Sequence, residues 1–517
     1  MSLRRSWWIS FALLLGLTVL WQLATPPLAG PDEPSHLARA ASVARGTLIG
    51  SATRDAGTTR VVLPAPFADL GHYPKCFAFH PDVPASCTAG LVLHSGGQHN
   101  VVTSAGRYPP TYYVLVGAPT RVWLGIAADQ PTRLLSLLLC CALLATAVAW
   151  SLRQTLAAPE QTGDQVAAPM WLGVALSVTP MVLFLSVLVN PNGLEVAAAL
   201  ALWVGLIRLM SDSPDAEIKP RFLLGLGLVG AALLTARPIS VVLAVVICLL
   251  CLAQARPARV RHLARQRGVR MVALALAGVA CLQLGWLLVA QSNAVHLSSG
   301  GTHRSTGSAF AKVFAPSHVG SLAIQLVGVF GWKDTPSPRV TIIVWAAGLL
   351  LLLAATLRTG TSRARTVTLI TLSATVVIPG VVEALAYPRL GFWWQGRYTL
   401  PLAVGLPVVA AAGLRLSAKW QRRLCLTLGP GLFVAQSAAY IKTLARYTVG
   451  TGRGWGLLYV RWHPPLSPLL LTGSFVVVSG LWVYWVLRPA LTHATIVRNA
   501  PTFAAATTSG NIGTVWS

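Results

Sequence analysis

The chain has 517 residues, 54% of them hydrophobic and only 10% charged, and its mean hydropathy of +0.64 excludes an ordinary water-soluble globular domain. Its net charge of +26 resides largely in arginines clustered in short loops between apolar runs. That pattern, with no basic stripe interleaved with aromatics, argues against nucleic acid as a partner and for membrane lipids with anionic headgroups.

Apolar runs of about 17 to 23 residues recur along the whole length, each sufficient for a helix to cross a hydrocarbon core of about 30 Å. The expectation is an all-α polytopic membrane protein. Arg4 and Arg5 precede the first run, Trp7 to Leu23. A signal peptide has the same outline, but this run is long and lacks a clear small-residue cleavage site, so residues 1–24 are read as an uncleaved first span. Residues 25–132 hold no full span and form a large loop with surface helices. Within it, Asp32 to Arg45 reads as a helix capped by Asp32, with Leu37, Ala41 and Ala44 on one face. Cys76 and Cys87 bracket a short polar stretch and are expected to form a disulfide if that loop is extracytoplasmic.

Sidedness follows from the most basic loop, Arg256 to Arg270, which the positive-inside rule places in the cytoplasm. Counting spans from there gives about twelve crossings within 1–490. The outer loops fall at 25–132, 291–339, 387–397 and 442–467, and both termini fall inside. Pro110 to Ile126 and His318 to Phe330 are read as surface or re-entrant segments. Residues 491–517 read as a disordered tail, and the setting as a bacterial plasma membrane.

Only 14 residues are acidic, so their placement is informative. Asp32 and Glu33 lie side by side just past the first span, three residues before His36. They can cap a helix, but a carboxylate at a membrane surface can also accept an acceptor's proton or hold a divalent cation. Glu195 follows the turn Asn190-Pro191-Asn192-Gly193; it is either part of a capped helix start or faces a polar cavity. Arg237 and Arg397 sit in short outer turns, where arginine either snorkels to the interface or binds an anion through its guanidinium fork. Asp334 follows Trp332 and Lys333 and can pair with that lysine or orient a ligand. Trp393 and Trp394 read as interfacial-belt residues. No nucleotide-binding or zinc-ligand motif is present.

Five segments, in this order, resemble a bacterial family of predicted membrane proteins catalogued as domain of unknown function 2142. They are Pro31-Asp32-Glu33-Pro34-Ser35-His36, Tyr108-Pro109-Pro110-Thr111-Tyr112-Tyr113, Asn190-Pro191-Asn192-Gly193-Leu194-Glu195, Phe330-Gly331-Trp332-Lys333-Asp334-Thr335 and Gln395-Gly396-Arg397-Tyr398-Thr399-Leu400-Pro401. The family is similar to the C-type (GT-C) glycosyltransferases, which implies a GT-C-like helical fold and a sugar donor carried on a polyprenyl phosphate. By that resemblance Asp32 and Glu33 take the first acidic, catalytic position, and Glu195 the second, where aspartate is usual. The implied reaction is transfer of the sugar, with inversion, to an extracytoplasmic cell-envelope acceptor. His36, Glu195, Arg237, Asp334, Arg397 and Tyr398 are then expected to bind substrate, and Asp32, Glu33 and Glu195 to hold a divalent metal ion if one is used. A transporter or flippase of lipid-linked sugars is the alternative. Its signature of internal repeats and mid-span ionisable residues is weak here, with Glu383 the main intramembrane acid.

Overall fold

A computed structural model describes residues 2–54, 57–157, 169–211, 218–291, 306–453 and 460–498. Helix α1 (Leu3–Leu23) leads into α2 (Glu33–Ala44), and after a long loop come α3 (Pro110–Val116) and α4 (Asp129–Ala157). A central group follows: α5 (Met170–Ser177), α6 (Pro180–Ser186), α7 (Pro191–Ser211), α8 (Pro220–Ala236), α9 (Ser240–Gln254), α10 (Pro257–Arg265) and α11 (Arg267–Val289). The last part holds α12 (Thr306–Val313), α13 (Pro316–Gly328), α14 (Arg339–Thr359), α15 (Ser362–Leu390), α16 (Gly396–Ala403), α17 (Gly405–Gly413), α18 (Ala418–Thr448) and α19 (Pro468–Arg498).

Eight of these helices are long and apolar enough to cross a membrane by length and composition, namely α1, α4, α7, α11, α14, α15, α18 and α19; α8 and α9 are shorter apolar helices. Twelve crossings are reached only by also counting α8, α9 and two broken pairs, α5–α6 and α16–α17, as spans. Pro180 explains the first break. It pushes Thr179 into an extended conformation, and the Thr179 hydroxyl then caps α6 at Val182 N. At the second break, near Val404, Ser177 Oγ donates to the Val404 carbonyl at 2.7 Å and Trp203 Nε1 to the Pro401 carbonyl at 3.0 Å. Backbone groups freed inside an apolar bundle are thus met by side chains from α5 and α7. Helix α7 is the interior strut, buried continuously from Pro191 to Val204, whereas α11 turns Leu274, Leu282, Leu288 and Val289 outward.

The loop after α1 is more ordered than its composition suggests. Strands β1 (Ser51–Ala52), β2 (Thr59–Pro64) and β3 (Gln98–Thr103) form an antiparallel sheet in that order, with Thr59 opposite Thr103 and Pro64 opposite Gln98. Val61 and Leu63 from β2 and Val101 from β3 pack with Leu28, Leu37, Ala38, Ala41 and Phe67. Helix α2 is therefore buried rather than superficial. Cys76 and Cys87 are joined by a disulfide beside a small cluster of Ala29, Phe77, Ala85 and Tyr447.

The stretch from Pro110 to Ile126 forms only α3 and short 3-10 turns, with Val114, Leu115, Val122, Trp123 and Leu124 exposed. The segment read as 318–330 begins as α13 and ends in β4 (Val329–Phe330), which pairs with β5 (Thr335–Pro336). Two boundaries differ from expectation. Helix α18 runs to Thr448, so the stretch read as a loop from 442 starts later, because Arg446 is anchored within the fold by hydrogen bonds to Phe77 O and Val83 O. Helix α19 continues to Arg498, so 491–498 is helical, and the rest of the expected disordered tail lies outside the described residues.

Candidate functional site

Asp32 and Glu33, adjacent in sequence, are pulled in opposite directions. Glu33 starts α2 and is fully buried. Its Oε1 accepts from Arg133 Nε at 2.7 Å and Val189 N at 2.9 Å, and its Oε2 from Arg133 Nη2 at 2.5 Å and Gly30 N at 2.9 Å. Arg133 also pairs with Asp129 at 3.0 Å and donates to Thr25 O at 3.1 Å. Glycine suits position 30: a Cβ would lie 2.5 Å from Leu188 Cδ1 and 3.0 Å from Glu33 Oε2, so a larger residue would force the Leu188 side chain to move. Sealed and fully hydrogen-bonded, Glu33 has no oxygen to offer a substrate, and its expected place as a catalytic carboxylate does not fit this geometry.

Asp32 precedes α2 at φ 61°, a left-handed conformation that aspartate tolerates better than most residues. It does not cap the helix as expected, because its carboxylate turns away toward Arg397. Arg397 Nη2 donates to Asp32 Oδ2 and, at 3.1 Å, to the Tyr398 hydroxyl, while Nη1 reaches Pro31 O at 3.3 Å. The two partners differ in access: the Arg397 side chain is 2% exposed and that of Asp32 46%. Burial raises the Asp32 pKa, but the charges of Arg397, His36 and Arg237 outweigh it and hold the carboxyl below its usual range. Among the described residues Asp32 Oδ1 has no hydrogen-bond partner, and Arg397 Nε is likewise buried without one.

Arg237 flanks this pair. Its guanidinium lies 4.6 Å from the Tyr398 ring centre, and that of Arg397 5.0 Å from the same ring. Arg237 Nη1 bonds Glu195 Oε2 at 3.0 Å; Ser240 Oγ donates to Glu195 Oε1 at 2.6 Å, and Asn192 Nδ2 to Oε2 at 3.4 Å. Glu195 is thus a buried counter-charge that holds Arg237 in place. The turn before α7 also grips the acidic motif directly, since Asn190 Nδ2 donates to Pro31 O at 3.2 Å. Two segments about 160 residues apart meet here because one supplies carbonyls and carboxylates and the other the amides that bind them.

His36 Nδ1 lies 2.7 Å from the Tyr113 hydroxyl, and its ring packs against Tyr108 and Tyr113. Burial lowers its pKa to about 3, with Asp32 opposing and Arg397 and Arg237 reinforcing, so the imidazole is neutral near pH 7. Burial also raises the Tyr108 pKa, and Arg237 partly offsets this. The side chains of Asp32, His36, Arg237, Arg397, Tyr108 and Tyr398 thus form one polar cluster at one end of the bundle.

Asp334 is not brought into this cluster. Its Oδ2 accepts from Arg446 Nη2 at 3.0 Å and Phe79 N at 3.1 Å, and Arg446 also binds the carbonyls of Phe77, His80 and Val83. Asp334 fastens the disulfide loop to α18 instead of pairing with Lys333. The expected cation cage is not assembled either: Glu33 and Glu195 are each paired with an arginine and bonded by further protein donors, Asp32 is paired with a third arginine, and among the described residues no three acidic, histidine or cysteine side chains gather as metal ligands. Residues that the sequence left unmarked are Arg133 and Arg446. Arg133 lies with Asp129 at the start of a long apolar helix, where an arginine needs a buried partner.

Fold and site together define a polytopic helical membrane protein with a buried ion-pair cluster that opens at Asp32. The family model for the predicted membrane protein (DUF2142) matches residues 15–406, and the chain belongs to that family. No curated protein sequence matches it. Among solved structures it is similar to ArnT from Cupriavidus metallidurans bound to undecaprenyl phosphate, at 14% identity and a TM-score of 0.45, over 95% of this chain and 78% of that one. The apo form of the same ArnT gives 14% identity and a TM-score of 0.45, over 96% and 80%.

Proposed function

We propose that the chain is a membrane glycosyltransferase that moves a sugar from a lipid-phosphate carrier to an acceptor hydroxyl on the extracytoplasmic side, with inversion at the anomeric carbon. The observation that carries this reading is the half-open Asp32 carboxylate, with Oδ1 free, held by a buried arginine that keeps a donor in reserve. A carboxylate beside two guanidinium groups is what a displacement at a sugar phosphate needs: one group to take a proton and others to hold the departing phosphate.

In this reading Arg397, assisted by Arg237, binds the donor phosphate. Engaging the phosphate draws Arg397 from Asp32, and the carboxylate, relieved of the charge that depresses its pKa, becomes a stronger base. Asp32 takes the proton from the acceptor hydroxyl, and the acceptor oxygen forms the new bond to the anomeric carbon from the face opposite the phosphate. The bond from that carbon to the phosphate oxygen breaks with its electron pair on the phosphate, whose added charge the arginines stabilise. Glu195 and His36 act indirectly, Glu195 by fixing Arg237 and His36 by packing between Asp32 and the tyrosines. Glu33 holds the turn that presents Asp32. Because the outer placement rests on the positive-inside count, the donor and acceptor are sought on the face opposite the Arg256–Arg270 loop.

The test is transfer from labelled polyprenyl-phosphate sugars by the protein in liposomes, with Asp32→Asn as the comparison. Loss of about 10²- to 10⁴-fold supports the base. An unchanged rate in Asp32→Asn removes Asp32 from that role, and lipid flipping without transfer from any donor overturns the enzyme reading in favour of a flippase.

A further inference from the structure

Lys333 stands apart from the other charged residues around the cluster. It lies in the turn between β4 and β5 at φ 66°, a left-handed conformation that a lysine pays for and that persists only where its surroundings impose it. The turn is held on both flanks. Trp332 Nε1 donates to Leu28 O at 3.2 Å, only four residues before Asp32, and the Trp332 ring lies against Phe79. Asp334 is fixed by Arg446 and Phe79 N, and a Cβ on Gly331 would lie 2.4 Å from Asp334 Oδ1, so this tight turn needs glycine there.

Between these anchors the Lys333 side chain is exposed and makes no hydrogen bond or ion pair among the described residues. The tether to Leu28 O sets this turn beside the segment that carries Asp32. Partial desolvation and the Arg397 guanidinium lower its pKa, while Glu383 and Asp32 pull the other way. Arg237 is compensated by Glu195, Arg397 by Asp32 and Glu383 by His318 at 2.7 Å, whereas Lys333, on a turn tied to Leu28 four residues before Asp32, has no such partner among the described residues.

We propose that Lys333 is a phosphate-binding residue that acts on the charge gained by the leaving group, gripping the released lipid phosphate more strongly than the intact donor. This rests on the glycosyltransferase reading and deepens it. A sugar linked through a phosphodiester carries one negative charge, and the lipid phosphomonoester left after transfer approaches two near neutral pH. A mobile ammonium, unlike a fixed guanidinium fork, responds to total charge more than to shape. Lys333 therefore stabilises the transition state as charge builds on the phosphate, and it slows product departure.

The experiment measures binding of polyprenyl phosphate, and steady-state transfer from its sugar derivative, for the protein in liposomes and for Lys333→Gln and Lys333→Arg. Because the side chain is exposed, both variants are expected to keep the thermal midpoint of the parent. In Lys333→Gln, product affinity falls about tenfold and donor KM rises by only about two- to threefold, with a flatter salt dependence of product binding; Lys333→Arg restores most of the product affinity. Equal losses for donor and product, or none, overturn the assignment while leaving the glycosyltransferase reading intact. Failure of the parent protein to bind polyprenyl phosphate at all overturns both.

Discussion

Asp32 and Glu33 share a peptide bond and an arginine partner apiece, yet one pair is sealed and the other opens to solvent. Neither side chain of the Glu33–Arg133 pair has any exposure, and all four hydrogen bonds that Glu33 accepts come from the protein itself. The Asp32–Arg397 pair leaves an oxygen and a guanidinium nitrogen uncommitted, with the carboxylate half exposed. Chemistry needs spare capacity, and structure needs none left over. In the proposed reading the same pairing of acid and arginine serves both purposes, and what separates the two pairs is how many partners the surrounding fold supplies.

The comparison breaks most visibly if the sealed pair is opened. Arg133→Met strands the Glu33 carboxylate in an apolar interior and should cost about 3–5 kcal/mol, read as a large fall in thermal midpoint or loss of monodisperse protein. Asp32→Asn should do the reverse, reducing transfer by about 10²- to 10⁴-fold with little change in midpoint. Should the two variants behave alike, the division of labour between these neighbours is wrong. A smaller effect is expected of Arg397→Lys, which keeps the charge but loses the fork that joins Asp32, Tyr398 and Pro31 O; transfer should fall about tenfold to a hundredfold, shared between KM and kcat.

The last expected effect is on pH dependence. His36 has its pKa lowered from 6.5 to about 3 in the folded protein, so between those values the unfolded chain binds a proton that the folded one does not. Stability therefore falls as pH drops through that window, by up to about 1.4 kcal/mol per unit. His36→Gln, which can still bond the Tyr113 hydroxyl, should flatten the melting midpoint between pH 6.5 and 4. Asp32 does not confuse that window, because its depressed pKa makes its own contribution disappear only at lower pH.

Much of the site could be found in the sequence, but its wiring could not. Asp32, Arg237 and Arg397 stood out because charge is scarce in this chain and because a cation in a short outer turn calls for an anion. The disulfide between Cys76 and Cys87 was similarly visible from two cysteines in a polar loop. Asp334 was legible as a rare acid and still went elsewhere, since Arg446, more than a hundred residues on, offers it a buried partner. The pairing of Arg133 with Glu33 and the unpartnered state of Lys333 had no local signal, because both depend on what packs against them.

Length, hydropathy and the placement of arginines determined that this is a helical membrane protein, since burying a backbone in hydrocarbon leaves few alternatives to the helix. They also determined where its rare charges lie. Tertiary structure alone decided that the loop after α1 folds as a sheet over α2, that α5–α6 and α16–α17 are broken, and that of two adjacent acids Glu33 is structural and Asp32 open. The reason is physical: a carboxylate's character follows from its partners and its water, and here all the partners of both acids except Gly30 N lie about 100 or more residues away, at Arg133, Val189 and Arg397.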